Sequence, residues 1–339
     1  MPAAPDDPTR ARLHVVTGKG GTGKSTVAAS LALALASHGR AVLLCEVEGR
    51  QGIAKLFDVD PLPYAERRIA TGLPGPRGRA GTLHALHVDP ESALLEYLAM
   101  YYRLGRAGRA LDRFGVVEFA TTLAPGVRDV LLTGKVYEAA KVKRRAKGVP
   151  SYDAVVLDAP PTGRIAQFLG VNSELAGLAR VGPIRSQADN VMTMFRSPRT
   201  AIHLVTVLEE MPVQETADGI AELRREGLPV GAVVVNMVRP EALAADQLAA
   251  VRAGTLDAGA IADDLAGVGV DGALVRDGLV DGLLAEAHDH AVRRELEDAQ
   301  RAVVADLGVP VHELPRLTDG VDLGGLYELA ADLRRGGLG

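Results

Sequence analysis

The chain of 339 residues has a single cysteine, Cys45. An intrachain disulfide is therefore excluded, and so is a tetrahedral metal site built on several thiolates. Cys45 falls in an apolar run, the ordinary place of a small buried hydrophobe. No apolar stretch approaches the roughly 18 residues that a membrane-spanning helix needs, so no integral membrane segment is expected. Positive charge is not in excess: 38 Lys and Arg stand against 43 Asp and Glu, a net charge of −5. That balance disfavours broad nucleic-acid binding, and no nucleic-acid partner is expected. No internal repeat and no signal peptide are recognisable, and the expected location is cytoplasmic, with a peripheral membrane contact left open. Residues 1–10 are polar and proline-bearing and are expected to be disordered.

What remains, 47% hydrophobic and 24% charged residues, suffices for one large α/β domain with a helical insertion. The most informative stretch is Gly18-Lys19-Gly20-Gly21-Thr22-Gly23-Lys24-Ser25-Thr26. From Gly18 it fits the phosphate-loop pattern G-x-x-x-x-G-K-[ST]. The short β-branched run Leu13–Val16 precedes it. Residues from Ser25 to Ser37 follow, with Val27, Leu31 and Leu35 at helical spacing and Gly39 as a stop. Strand, glycine loop and helix form the context this chemistry needs. Glycines let consecutive backbone N–H groups turn onto an anion, and the helix N-terminus adds its partial positive charge. Lys24 is then expected on the β- and γ-phosphates, Ser25 on Mg²⁺ and Thr26 on a more distal phosphate oxygen. ATP and Mg²⁺ are the expected cofactors.

Further apolar runs are Ala41–Cys45, Leu83–Val88, Ala154–Leu157, Ile202–Val207, Val230–Val235 and Val309–His312, separated by helical patterns. Several are apolar on both faces, as buried parallel strands are. The expected fold is a doubly wound, mostly parallel sheet flanked by helices, a P-loop NTPase of class α/β. The domain is expected to span 11–335. A helical insertion is expected at about 89–147 and a second helical region at about 240–307. The glycines and prolines of 72–77 mark a loop before the third strand.

Lys19, five positions before Lys24, would point away from phosphates held by its own loop. The string K-G-G-T-G-K-S-T resembles the deviant Walker A motif of the family that includes nitrogenase iron protein, MinD, ParA, and the arsenite-pump and tail-anchored-protein-targeting ATPases. In that family the extra lysine reaches across a dimer interface to the partner's nucleotide. The resemblance implies the same for Lys19, and hence a homodimer or a heterodimer with a paralogue. The run ending at Asp158 continues Ala159-Pro160-Pro161-Thr162-Gly163. It resembles switch II of the arsenite-pump and tail-anchored-targeting branch, on Asp158, Pro161, Thr162, Gly163 and Leu169. Asp158 is then expected to hold Mg²⁺ through water, and Gly163 to act as a hinge sensing the γ-phosphate.

Switch I departs from that family. Its pattern is roughly D-P-A-x-N-x-x-D-A-F, where this chain reads Glu46-Val47-Glu48-Gly49-Arg50-Gln51-Gly52-Ile53-Ala54-Lys55-Leu56-Phe57. Glu48 falls on the first Asp. Lys55 falls on the Asp that orients the attacking water, and an ammonium cannot accept that proton. Either Glu46 or Glu48 substitutes, or hydrolysis is slow; both glutamates also read as a solvated strand exit. Asn236, ending Val233-Val234-Val235, resembles the family's adenine-reading V-V-N, with a turn-forming Asn as the alternative. The guanine pattern N-K-x-D is absent, which favours adenine. Pro315 in Leu314-Pro315-Arg316 resembles the family's adenine-covering loop. Pro212 and Glu215-Thr216 mark position only.

A hydrophobic client or membrane-protein partner is a further implication of the resemblance. Candidate groove residues are Leu94, Leu98, Met100, Tyr101, Phe114, Phe119, Met192, Met194 and Phe195, which read equally as core. The basic run Lys135, Lys141, Lys143, Arg144, Arg145 and Lys147 reads as a solvated helix end or as a contact for an anionic surface. Three functions compete: a dimeric ATPase switch of the arsenite-pump and targeting type, a MinD- or ParA-type positioning ATPase, and a weakly hydrolysing scaffold paired with an active paralogue.

Overall fold

The computed structural model describes residues 11–49, 51–75, 79–102, 126–141, 151–178, 183–318 and 320–338. Its centre is an eight-stranded sheet in the order β3-β4-β2-β5-β1-β6-β7-β8. The strands are β1 (Leu13–Gly18), β2 (Ala41–Glu46), β3 (Arg67–Pro74), β4 (Ala80–His87), β5 (Ala154–Asp158), β6 (Thr200–Thr206), β7 (Val230–Val238) and β8 (Val311–Pro315). All neighbours pair in parallel except β3, which returns antiparallel on β4. The expected α/β architecture is present. The loop placed at 72–77 is corrected: β3 runs to Pro74 at the sheet edge, where a proline's missing N–H is tolerated.

The central strands β1, β5 and β6 are buried along their whole length, so none shows the apolar–polar alternation of a half-exposed strand, although β1 and β6 bury His14, Thr17, Thr200, His203 and Thr206 among their apolar residues. Two cores result, one on each face of the sheet. On one face Leu13, Val15, Leu157 and Leu204 pack with Phe168, Phe195 and Leu223. These last come from α5 (Thr162–Leu178), α6 (Pro183–Phe195) and α7 (Glu210–Arg225). The other face packs against α1 (Lys24–Ala36) and the C-terminal α11 (Leu323–Arg335). Every residue of α1 from Val27 to Ala36 is buried, because α1 is covered by the sheet on one side and by α11 on the other. That explains a helix whose alanines and leucines leave no polar face. Truncating Leu31, fully buried here, would cost about 2–5 kcal/mol.

Shorter elements fill the connections: α2 (Gly52–Leu56), α3 (Pro90–Tyr102), α4 (Val127–Ala140), α8 (Ala245–Ala253), α9 (Ala258–Gly267) and α10 (Val280–Ala305), the last entered through a π-turn at Val275–Leu279. Among the groove candidates, Met192 and Phe195 are core, and Leu94 packs with Ala93 and Leu131 in a small satellite cluster. Phe114 and Phe119 lie outside the described residues, as do the side chains of Leu98, Met100 and Tyr101. So do Lys143, Arg144, Arg145, Lys147 and residues 1–10. Lys135 is not a free surface cation: it donates to both oxygens of Glu96 at 2.7 and 2.8 Å and lies over the Tyr64 ring. No helix among the described residues is long and apolar enough to cross a membrane.

Candidate functional site

The phosphate loop lies where β1 ends at Gly18 and α1 begins at Lys24, at the carboxyl edge of the sheet and near its middle. Strand order places β5 and β2 on one side of β1 and β6 and β7 on the other. Ligands of open α/β sheets bind in the crevice such an arrangement leaves. Glycine is required at Gly23, which has φ 84°, and a Cβ there would meet Asn236 Nδ2 at 2.3 Å. At Gly18 a Cβ would meet the Val205 carbonyl oxygen at 2.2 Å, so β6 lies directly against the loop. Thr22 is buried and closes the loop on itself, its hydroxyl donating to the Lys19 carbonyl at 2.9 Å. Beside Gly20 and Gly21 there is open space.

The side chains of the loop are placed by what surrounds them. Ser25 donates its hydroxyl to Asp158 Oδ2 at 2.5 Å, joining the first turn of α1 to the end of β5. Burial drives the Asp158 carboxyl up to about 7; the Ser25 hydrogen bond and Lys24 oppose the rise, and Glu46 and Glu48 add to it. Lys24 Nζ lies 3.5 Å from the Lys19 carbonyl oxygen. Thr26 follows in the same turn of α1. Lys19 turns away from its own loop and forms an ion pair with Glu215 on α7. One turn along α7, Gly219 provides room for Thr162: a Cβ at 219 would meet Thr162 Cγ2 at 2.3 Å. Thr162 begins α5 directly after Pro161, and its hydroxyl is buried with no hydrogen-bond partner among the described residues. Gly163 is open. One face of α7 thus touches both Lys19 and the start of α5.

The two switch I glutamates separate. Glu46 ends β2, in register with Asp158 on one side and His87 on the other. It is 2% exposed. Its Oε1 accepts the Gly52 N–H at 2.7 Å. Glu48 is half-buried beyond the strand end. It lines a cleft of about 160 Å³ with Arg128, Asp129 and Arg164. There Arg164 lies 3.6 Å from Asp129, whose carboxyl is pushed up chiefly by burial. Lys55 is exposed on α2.

Asn236 ends the buried part of β7 and donates Nδ2 to the Thr22 carbonyl at 2.9 Å, gripping the phosphate loop from the side. Pro315 is exposed at the carboxyl end of β8, where Val238 pairs with it. The structure therefore draws Lys19, Lys24, Ser25, Asp158, Glu46, Thr162 and Asn236 around one loop. Glu48 stands off in the adjoining cleft, and Pro315 lies at the rim. Two participants were not singled out in the sequence. Glu215 carried only a positional reading. His87 ends its strand as Glu46 and Asp158 end theirs, and that shared position is the signal that would have found it.

The family described as anion-transporting ATPase matches residues 11–198, more than half of the chain. The chain belongs to that family. The match covers the phosphate loop, switch I and Asp158. ATPase BagA of Mycobacterium tuberculosis is 52% identical to this ATPase over 327 residues, 96% of this chain and 94% of that protein. The arsenical pump-driving ATPase of Escherichia coli is 27% identical over 279 residues, which is 75% of this chain but 45% of the pump protein. ATPase get3 of Neurospora crassa is 26% identical over 259 residues, 66% of this chain and 72% of that protein. The resemblance read from K-G-G-T-G-K-S-T and P-T-G is thus matched by the family and by partial similarity to the pump and get3 proteins, while similarity along nearly the whole length is to the mycobacterial ATPase.

Proposed function

We propose that this ATPase is a Mg²⁺-dependent, nucleotide-gated switch whose complete site forms between two chains. The observation that carries this reading is the direction of Lys19. It leaves its own loop for Glu215, while Lys24, Ser25 and Asp158 gather on the loop itself. A lysine so placed is available to a facing protomer. The site's donor set suits Mg²⁺: Ser25 and Asp158 offer hydroxyl and carboxylate oxygens, and Cys45 is buried in the core. When bound, Mg²⁺ would neutralise charge on the phosphate oxygens. The chain's own residues would do the rest. Lys24 and the loop N–H groups hold the β- and γ-phosphates. Ser25 and Asp158 fix the cation side, and Asn236 presents its free Oδ1 to the adenine amino group while Nδ2 stays on Thr22.

Coupling to a client or partner would run through α7, which touches both Lys19 and the first residue of α5. Rearrangement at Thr162-Gly163 would then be felt at the subunit boundary. The positioning-ATPase alternative has less support, since the apolar residues of the C-terminal helix, Leu326, Leu329 and Leu333, are buried on the α1 side of the sheet. Pairing with a paralogue is favoured by one feature: Lys55 occupies the water-orienting position of the family pattern. The test is phosphate release from Mg²⁺-ATP across a range of protein concentrations, alone and with Lys19→Ala. A specific rate that rises with concentration and is lost in the variant supports a dimer with Lys19 acting in trans. A rate independent of concentration, or unchanged in the variant, rejects it.

A further inference from the structure

The family pattern puts a carboxylate where this chain has Lys55, so another group must orient the attacking water. The structure distinguishes the candidates. Glu46, Asp158 and His87 lie in one row across β4, β2 and β5, by the registers Glu46↔His87 and Glu46↔Asp158. Glu46 has its two oxygens in different situations. Oε1 accepts from Gly52 N at 2.7 Å and so holds the first residue of α2. Oε2 is fully buried and has no hydrogen-bond partner among the described residues. Its neighbour is His87 Nδ1 at 3.7 Å, also buried and also without a hydrogen-bond partner among them. Two adjacent orphaned polar atoms in the interior are costly, because each has given up its hydrogen bonds to water without a replacement. Such a cost persists where the groups have a task. A Cβ built at Gly52 would lie 3.4 Å from Glu46 Oε1 and 3.9 Å from Ser25 Oγ, so both side chains converge on Gly52. Switch I is meanwhile held in a strained form. Gln51 has φ 52°, and its side-chain amide exchanges two hydrogen bonds with the backbone of Leu62, at 2.7 and 3.1 Å. Glu48, by contrast, faces Arg128 and Arg164 in the neighbouring cleft.

We infer that Glu46 is the water-orienting carboxylate of this site and that His87 is the residue that positions it. This rests on the hydrolysis reading given above. In the step, a water oxygen forms a bond to the γ-phosphorus as the bond to the β–γ bridging oxygen breaks. The bridging electron pair leaves with ADP. When switch I rearranges around bound nucleotide, the Glu46 carboxylate accepts the water proton and returns it to the released phosphate. His87 keeps the carboxylate turned so that Oε1 stays on Gly52 and Oε2 is committed to no hydrogen bond. Switch I closure and water placement are therefore set by one side chain.

The test compares Glu46→Gln, Glu46→Ala, Glu48→Gln, His87→Leu and His87→Asn with the unmodified full chain. Glutamine keeps an acceptor for Gly52 but cannot take a proton. Asparagine keeps a donor near the position of Nδ1. Loss of the general base is expected to lower kcat about 100-fold in Glu46→Gln, with ATP affinity within about threefold and Glu48→Gln close to the unmodified rate. His87→Leu should lose about tenfold in kcat at constant KM, and His87→Asn should recover most of it. Hydrogen exchange at the Gly52 amide in the nucleotide-free chain reads the latch independently of turnover. It should accelerate in Glu46→Ala and stay slow in Glu46→Gln. An unchanged kcat in Glu46→Gln, a larger loss in Glu48→Gln, or unaltered Gly52 exchange in Glu46→Ala overturns the inference. An unmodified chain that binds ATP and never releases phosphate overturns the hydrolysis reading instead, and Gly52 exchange still decides the latch.

Discussion

The Ser25 hydroxyl donates to Asp158 Oδ2 across 2.5 Å, tying the helix that follows the phosphate loop to the strand that ends in switch II. Without a cation, Asp158 is a buried carboxyl whose pKa is carried from 3.8 to about 7, first by burial. The sign of its effect on stability follows. Between those values the folded chain holds a proton that the unfolded chain releases, so stability falls as pH rises from about 4 to about 7. Asp158→Asn removes that liability. Its nucleotide-free form should melt higher than the unmodified chain at pH 7.5, by an amount on the order of 2–4 kcal/mol. The same variant should lose the Mg²⁺-dependent part of its ATP affinity. Melting curves from pH 4 to 8, with and without Mg²⁺-ATP, check both halves. A variant that melts lower at neutral pH contradicts the assignment.

Lys19 and Glu215 form an ion pair that is about one-third exposed at each end. Exposed pairs contribute up to about 1 kcal/mol, which is about a fivefold change in an equilibrium. If Lys19 must leave Glu215 to reach a facing nucleotide, Glu215→Gln should lower the protein concentration at half-maximal turnover by up to about fivefold. Lys19→Ala should leave ATP binding by the isolated chain nearly intact and remove the concentration-dependent rate. Sedimentation with a non-hydrolysable ATP analogue, paired with phosphate release, separates the two effects. A Glu215→Gln chain needing more protein for half-maximal turnover would count against the resting role of the pair.

Asn236 grips the loop through the Thr22 carbonyl at 2.9 Å and is 4% exposed. Asn236→Ala leaves that carbonyl without its donor and opens space at Gly23. A stability loss of about 1–3 kcal/mol is expected. If Asn236 Oδ1 receives the adenine amine, as proposed, the variant should also lose preference for ATP over GTP. Gly23→Ala is expected to be worse for binding than for folding. Its Cβ would collide with Asn236 Nδ2 at 2.3 Å, in a residue already at φ 84°. Nucleotide competition titrations beside urea melts test this pair; a fully retained ATP preference in Asn236→Ala removes Asn236 from base recognition.

The middle of the sheet was legible because its strands are buried on both faces and mostly apolar, as in Ala154-Val155-Val156-Leu157. The phosphate loop was legible because glycine spacing and a lysine encode a backbone shape directly. Strand β3 was missed, since Arg67-Arg68-Ile69-Ala70-Thr71-Gly72-Leu73-Pro74 has neither alternation nor an apolar run, and its pairing on β4 has two register shifts. An edge strand is held by one neighbour and need not look buried. The partner of Lys19 was equally invisible: Glu215 is 196 residues away in sequence, and only the packing of α7 beside β1 and β6 joins them. In sequence Glu48, which falls on the family's first Asp, was the catalytic candidate and Glu46 a switch residue that could substitute for it. Strand register separates them by seating one beside Asp158 and carrying the other past the sheet.

A last prediction concerns the opposite end of β1. His14 and His203 are fully buried on adjacent strands, with His14 Nδ1 and His203 Nε2 at 3.1 Å and the rings stacked. His14 Nε2 lies 3.2 Å from the Ala11 carbonyl oxygen. Burial lowers both pKa values, that of His14 from 6.5 to about 4; the Ala11 carbonyl opposes the fall at His14 and Arg40 adds to it, while at His203 the neighbouring rings of His14 and His312 add to it. Both rings are therefore neutral in the folded chain, while the unfolded chain binds protons below about pH 6.5. Stability from this pair is complete above that pH and is lost as pH falls toward 4, by about 3 kcal/mol for His14 alone. The direction is opposite to that of Asp158 over nearly the same pH range, so each is read as the difference between its own variant and the unmodified chain. His14→Gln should flatten the acid limb of the stability curve between pH 6.5 and 4 and leave the limb between pH 7 and 8 unchanged. Urea midpoints taken at half-unit pH steps give the comparison. An acid limb equally steep in His14→Gln would mean that the protons are taken up elsewhere.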